Sequence, residues 1–120
     1  MFSERLIDHF KNPRNIGELA PPAVSVSVSN PACGDLMRLS ARFENGAVVE
    51  ARYQVKGCTA SIAAGSALTE WMAGKTALEL AAAGPAVIEE ALDGLAPESR
   101  HAAVLSIDAV RALLRSLSSK

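Results

Sequence analysis

Two cysteines, an aspartate and a histidine are the residues of this chain whose types and spacing could carry chemistry: Cys33, Asp35, Cys58 and His101. Cys33-Gly34-Asp35 sets a thiol and a carboxylate two positions apart across a glycine, so the backbone can bend until both donors converge on one ion. The same residues also read as a packed thiol beside a surface turn aspartate. Cys58 follows Gly57 and precedes an alanine-rich run, which puts its sulfur at a helix N-terminus, where the macrodipole favours negative charge. That is the setting of a nucleophile or a metal ligand, although the small neighbours also suit a close-packed core cysteine. His101 follows Pro97-Glu98-Ser99-Arg100 near the start of the last helical segment. Its imidazole serves the same point if that helix end packs beside Cys58, and otherwise it is a surface residue. Together the four supply two sulfurs, one oxygen and one nitrogen, enough for tetrahedral zinc or for two tetrahedral irons bridged by sulfide. Their spacing matches no finger or ribbon built of paired C-x-x-C units.

Other constellations fail on inspection. Gly74-Lys75-Thr76 has the ending of a phosphate-binding loop, but that motif needs glycine where Thr69 stands, and the preceding residues read as helix rather than strand and loop. Ser61 or Ser66 with His101 would suggest a hydrolase, yet there is no glycine-flanked nucleophile elbow. His9 reads as a packed or solvated residue of the first helix.

The elements that must position these residues follow from periodicity. Residues 3–12 place Leu6, Ile7 and Phe10 on one face, with Ser3 as N-cap and Asn12-Pro13 as the stop, which predicts a short amphipathic helix. Residues 13–22 are irregular. Residues 23–29 alternate apolar and hydroxyl side chains with a period of two and predict a strand. A turn over 30–35 leads into two further strands, 36–43 and 48–55, joined through the hairpin signal Asn45-Gly46. Helical spacing begins at Cys58 and runs to Met72, with Gly74 beyond it. Thr76-Ala77-Leu78-Glu79 is a capping-box sequence, Pro85 opens another helix reaching Asp93-Gly94, and a last helix begins near Pro97 and carries Val104, Leu105, Ile107, Val110, Leu113, Leu114 and Leu117. Strands followed by a run of helices, without βαβ alternation, predict an α+β fold: a three-stranded, mostly antiparallel sheet with an N-terminal helix and C-terminal helices packed on one face.

Composition narrows the classes. At 120 residues the chain suits a single domain spanning 1–120, able to bury roughly two-thirds of its unfolded surface. Hydrophobic residues make up 49% and charged residues 21%, too apolar and too balanced for intrinsic disorder. The net charge is −1, with Lys and Arg scattered singly, so the sequence predicts no nucleic-acid partner. No stretch approaches the roughly 20 apolar residues that span a bilayer, and the charged N-terminus lacks the apolar core of a secretion signal. These features predict a cytoplasmic protein without membrane attachment, in which two cysteines serve as thiols or ligands rather than a disulfide.

Collinear motifs carry a resemblance across nearly the whole chain. Residues 2–17, from Phe2-Ser3-Glu4-Arg5-Leu6-Ile7-Asp8-His9-Phe10 through Asn12-Pro13-Arg14-Asn15-Ile16-Gly17, resemble the opening of the U-type iron-sulfur cluster scaffolds, the IscU and NifU N-terminal domain family. Asn30-Pro31-Ala32-Cys33-Gly34-Asp35 is similar to that family's first ligand loop and Gly57-Cys58-Thr59-Ala60-Ser61-Ile62-Ala63 to its second, with further matches at 71–75 and Asp108-Ala109-Val110. The resemblance implies the α+β layout and a carrier rather than an enzyme. Such a scaffold accepts iron and sulfur, docks on a cysteine desulfurase, builds a [2Fe-2S] cluster and passes it to recipient apoproteins. Carried over residue by residue, Cys33 and Cys58 would be cluster ligands, Asp35 the carboxylate that binds the first metal and keeps the cluster exchangeable, and His101 an auxiliary ligand.

The four donors admit a labile [2Fe-2S] cluster or iron, or zinc as the alternative occupant on isolation, and a cluster could sit within one copy or between the two copies of a homodimer. Two departures bear on function. The family places a third cysteine directly after the histidine, where this chain has Ala102, which can neither ligate iron nor take a persulfide. Where related scaffolds carry Leu-Pro-Pro-Val-Lys for a dedicated Hsp70-type chaperone, this chain reads Leu95-Ala96-Pro97-Glu98-Ser99, against chaperone docking. The rival expectation is a degenerate scaffold that keeps the desulfurase-binding surface as an interaction or regulatory protein and builds no cluster.

Overall fold

In a computed structural model the structure describes residues 2–30 and 34–118. Helix α1 (Glu4–Lys11) begins where Ser3 accepts a hydrogen bond from the Leu6 amide, while the Ser3 hydroxyl donates to the Leu92 carbonyl oxygen and ties the cap to a distant turn. Strands β1 (Val24–Asn30), β2 (Asp35–Glu44) and β3 (Ala47–Lys56) form an antiparallel sheet in the order β1-β2-β3. Asn45 and Gly46 both have positive φ, 54° and 80°, as the tight hairpin between β2 and β3 requires. Pairing of Met37 with Val55, Leu39 with Tyr53 and Ala41 with Ala51 sends one row of side chains to the helices. The opposite face carries Ser27, Arg38, Arg42 and Arg52 toward solvent, with Arg38 donating to Ser27 and Glu18.

Helices α2 (Thr59–Met72), α3 (Ala77–Ala82), α4 (Pro85–Ala91) and α5 (Arg100–Ser118) follow, with a 3₁₀ turn at Pro97–Ser99 leading into α5. Helix α5 lies across β1 and β2, and α2 is wedged among α1, β3 and α5. The composition of α2 explains how it fits there, since Ala60, Ala63, Ala64 and Ala67 are buried around it and permit close approach. At Gly65 the fit is tightest. A Cβ there would stand 2.3 Å from the ring of Tyr53, whose hydroxyl donates to the Ile62 carbonyl oxygen at 2.7 Å. Burial pushes the Tyr53 phenol up to about 12, so it stays a donor. The core joins Leu6, Met37, Leu39, Tyr53, Leu68, Met72, Leu80, Ile88, Leu105, Ile107 and Leu113, each burial contributing about 1.5–3 kcal/mol before entropy is counted.

The α+β layout agrees with the sequence reading, as do the Ser3 cap, the Thr76/Glu79 capping box and Pro85 at the start of α4. Several details differ for physical reasons. In α1 the inward residues are Leu6 and His9, while Ile7 and Phe10 are each 38% exposed, because α2 offers His9 a polar partner in Ser66. Val104 is largely exposed on α5 although its apolar spacing suggested core. The irregular stretch after α1 is not free loop: Gly17 donates to the Tyr53 carbonyl oxygen and Tyr53 to that of Asn15, which extends pairing along the outer edge of β3. Gly74-Lys75-Thr76 likewise pairs with the start of β3, the Gly74 amide donating to Val48 and the Val48 amide to Lys75. No helix among the described residues is long and apolar enough to cross a membrane.

Candidate functional site

Three of the four sequence-predicted residues meet. Asp35 is the first residue of β2, Cys58 is the N-cap of α2 and His101 is the second residue of α5. One donor atom from each lies within 4.8 Å of the other two. Cys58 Sγ is 3.4 Å from Asp35 Oδ2 and 3.5 Å from His101 Nε2, and His101 Nε2 is 3.3 Å from Asp35 Oδ2. Cys58 is exposed, His101 is partly covered and Asp35 is 5% exposed, so a buried carboxylate underlies an open thiol and imidazole. The fourth, Cys33, lies outside the described residues, next to Gly34, whose φ of +75° and amide bond to the Asn30 carbonyl oxygen at 2.7 Å form the turn into Asp35.

Each side chain is set by its neighbours. The imidazole Nδ1 of His101 lies 3.1 Å from the Glu98 carbonyl oxygen. A carbonyl only accepts, which assigns the hydrogen to Nδ1 and turns Nε2 toward Cys58 and Asp35, the orientation typical of a metal-ligating histidine. Gly57 makes room for the carboxylate: a Cβ there would fall 2.6 Å from Asp35 Cγ. Ser61, fully buried in the first turn of α2, donates to Asp35 Oδ2 at 2.5 Å and sits 3.4 Å from Cys58 Sγ. Burial pushes the Asp35 carboxyl upward, but hydrogen bonds from Ser61 and from the Cys58 side chain and backbone help outweigh it and hold the group below its ordinary value. Sulfur, carboxylate oxygen and imidazole nitrogen thus converge on one point, the donor types that together suit a metal cation.

Sequence reasoning missed Ser61 and Gly57 as parts of this site. By sequence Ser61 reads only as a nucleophile beside His101, and the signal for its role here is its place three residues, one helical turn, after Cys58; Gly57 figures only as the residue before that cysteine. Ser66, considered with His101 for hydrolysis, instead lies 2.7 Å from His9 Nδ1 and is fully buried. A cavity of about 370 Å³ opens beside His9, and its Arg14, Asp8 and Glu70 charges are paired with one another. Ala102 is fully buried in α5.

The chain matches the sequence family described as NifU-like N terminal domain over residues 1–120. It is 37% identical over 123 residues to the iron-sulfur cluster assembly scaffold protein IscU of Haemophilus influenzae, covering 99% of this chain and 97% of that one. It is 40% identical over 118 residues to the IscU scaffold protein of Azotobacter vinelandii, covering 95% and 91%. Among solved structures, a NifU-like N-terminal protein from Brucella abortus superposes with a TM-score of 0.79 at 27% identity, covering 98% of this chain and 94% of the other.

Proposed function

The chain belongs to the NifU-like N-terminal domain family, and from that premise we propose that residues 1–120 act as one domain that scaffolds and carries an iron-sulfur cluster. Its cargo is ferrous iron or a labile [2Fe-2S] cluster, held by Asp35, Cys58 and His101 together with Cys33, and zinc is an alternative occupant of the same donors. Sulfur comes from a cysteine desulfurase and the cluster leaves to recipient apoproteins. The reading treats the protein as a cytoplasmic carrier rather than an enzyme, with two copies able to share a cluster. It assigns no Hsp70-type chaperone docking to residues 95–99.

The supporting observation is the convergence of Asp35, Cys58 and His101, residues far apart in sequence, with Nε2 of His101 turned to the same point as the thiol. The donors divide the work. Cys58 supplies a soft thiolate at an exposed helix N-cap, where incoming iron and sulfide have access. Asp35 supplies a hard oxygen that binds iron and releases it more readily than a third thiolate would. His101 supplies a nitrogen from an element that packs onto the site from elsewhere in the chain. Four good donors hold a structural zinc ion with an apparent binding energy on the order of 10 kcal/mol at neutral pH, so a mixed set suits a cargo that must depart.

The test measures iron, zinc and acid-labile sulfide per chain on protein purified anaerobically, and again after incubation with desulfurase, cysteine, ferrous iron and a dithiol, which supplies the electrons that reduce the desulfurase's persulfide sulfur to sulfide. Iron and sulfide in equal amounts, near one cluster per chain or per dimer, are expected. Desulfurase binding with a colourless, sulfide-free protein would replace this reading with that of an interaction subunit.

A further inference from the structure

We propose that Ser61 is the positioning residue of this site: its hydroxyl orients the Asp35 carboxylate toward Cys58 and His101 and thereby sets how tightly the cargo metal is held. The inference rests on the proposed function in taking Asp35, Cys58 and His101 as ligands.

Three observations carry it. Ser61 is fully buried in the first turn of α2, and a buried hydroxyl costs free energy unless it is hydrogen-bonded. The partners it has are Asp35 Oδ2 at 2.5 Å and Cys58 Sγ at 3.4 Å, so its polar atom faces the site. On the other side the carboxylate abuts Gly57, where even a methyl group would stand 2.6 Å from Cγ. Asp35 is thus clamped between a backbone that leaves no slack and a hydroxyl that takes up one lone pair of Oδ2. The remaining lone pair of that oxygen faces the Cys58 thiol and the imidazole. A metal ion displacing the thiol proton meets a carboxylate already aimed at it and held to one oxygen.

The helical register explains why this residue can do so. Ser61 is three positions past Cys58, one turn along α2, so the element that presents the thiol also fixes the carboxylate arriving from β2. Ligating carboxylates are themselves commonly hydrogen-bonded in this manner, and loss of such a partner lowers metal affinity by about 10–100-fold.

The experiment titrates cobalt(II) into the anaerobic apoprotein, reading the thiolate-to-cobalt charge-transfer and ligand-field bands, with competition by zinc. The chains compared are the unmodified protein, Ser61→Ala, Ser61→Thr, Asp35→Asn and Cys58→Ala, each with its apoprotein unfolding temperature. Ser61→Ala is expected to weaken cobalt binding by about 10–100-fold and to speed metal release to a chelator, while Ser61→Thr, which keeps the hydroxyl, retains binding. The proposal is overturned if Ser61→Ala binds within about twofold of the unmodified chain while Asp35→Asn and Cys58→Ala are weakened. It is also overturned if Ser61→Thr loses as much as Ser61→Ala, since the hydroxyl would then not be the cause. Unaltered binding in Asp35→Asn and Cys58→Ala would instead refute the ligand assignment itself.

Discussion

Gly57→Ala offers a steric test of the site that leaves every ligand in place. The added Cβ would lie 2.6 Å from Asp35 Cγ, 2.8 Å from Oδ1 and 3.0 Å from Oδ2. Non-bonded carbons settle at about 3.5 Å, so the carboxyl group must retreat by about 0.9 Å, the difference between 3.5 and 2.6. A displacement of that size takes Oδ2 out of reach of one or more of Ser61, Cys58 and His101, which now meet it at 2.5, 3.4 and 3.3 Å. Loss of one hydrogen bond to a charged group costs about 1.5–3 kcal/mol, which at 1.4 kcal/mol per decade corresponds to about 10–100-fold in metal affinity. The assay is zinc affinity by competition with a chromophoric chelator, alongside the apoprotein unfolding temperature. Gly84→Ala is the control, because a Cβ there meets nothing within 4 Å and its φ of −126° suits any residue. Unchanged zinc affinity in Gly57→Ala would refute the argument that the position of Asp35 sets the strength of the site.

Gly65→Ala forces a methyl group to within 2.3 Å of the Tyr53 ring and is expected to lower stability by about 1–3 kcal/mol. Urea unfolding should show that cost shrinking when Tyr53→Leu is also present, a coupling expected of residues in contact. His9 gives a pH signature: burial, aided by the charge of Arg14 and opposed by Glu70 and Asp8, lowers its folded value below 6.5. The unfolded chain therefore binds the proton first, so this contribution is complete above about pH 6.5 and is lost as the pH falls through that value toward the folded one. Unfolding temperatures from about pH 7.5 to 5 should fall further for the unmodified protein than for His9→Gln, and parallel curves would contradict the assignment. Ala102→Cys places a thiol in a fully buried position, with an expected stability cost of about 1–3 kcal/mol and a rise in iron and sulfide bound after reconstitution; no gain in sulfide would show that a thiol there does not reach the metal.

What the sequence determined by itself is what neighbouring residues settle among themselves. Asn45-Gly46 admits the positive φ that a tight hairpin needs, Thr76 and Glu79 cap each other across one turn, and Pro85 cannot sit deeper in a helix. The period of two over 23–29 and the order of strands before helices follow from the same local rules, and they sufficed for the fold class. Donor types were also legible, because a thiol, a carboxylate and an imidazole keep their chemistry wherever the chain places them. Tertiary structure decided which of them meet: Cys58 lies 23 residues from Asp35 and 43 from His101, and no local preference brings β2, α2 and α5 to one point. It also kept Leu6 inward but turned His9 in beside it in place of Ile7 and Phe10, because apolar spacing defines a face but not the polar partner that a neighbouring helix offers it. Ser61 and Gly57 acquired their roles in the same way. A buried hydroxyl and a missing side chain have meaning only relative to the carboxylate that packing delivers between them, and that delivery is a property of the whole core.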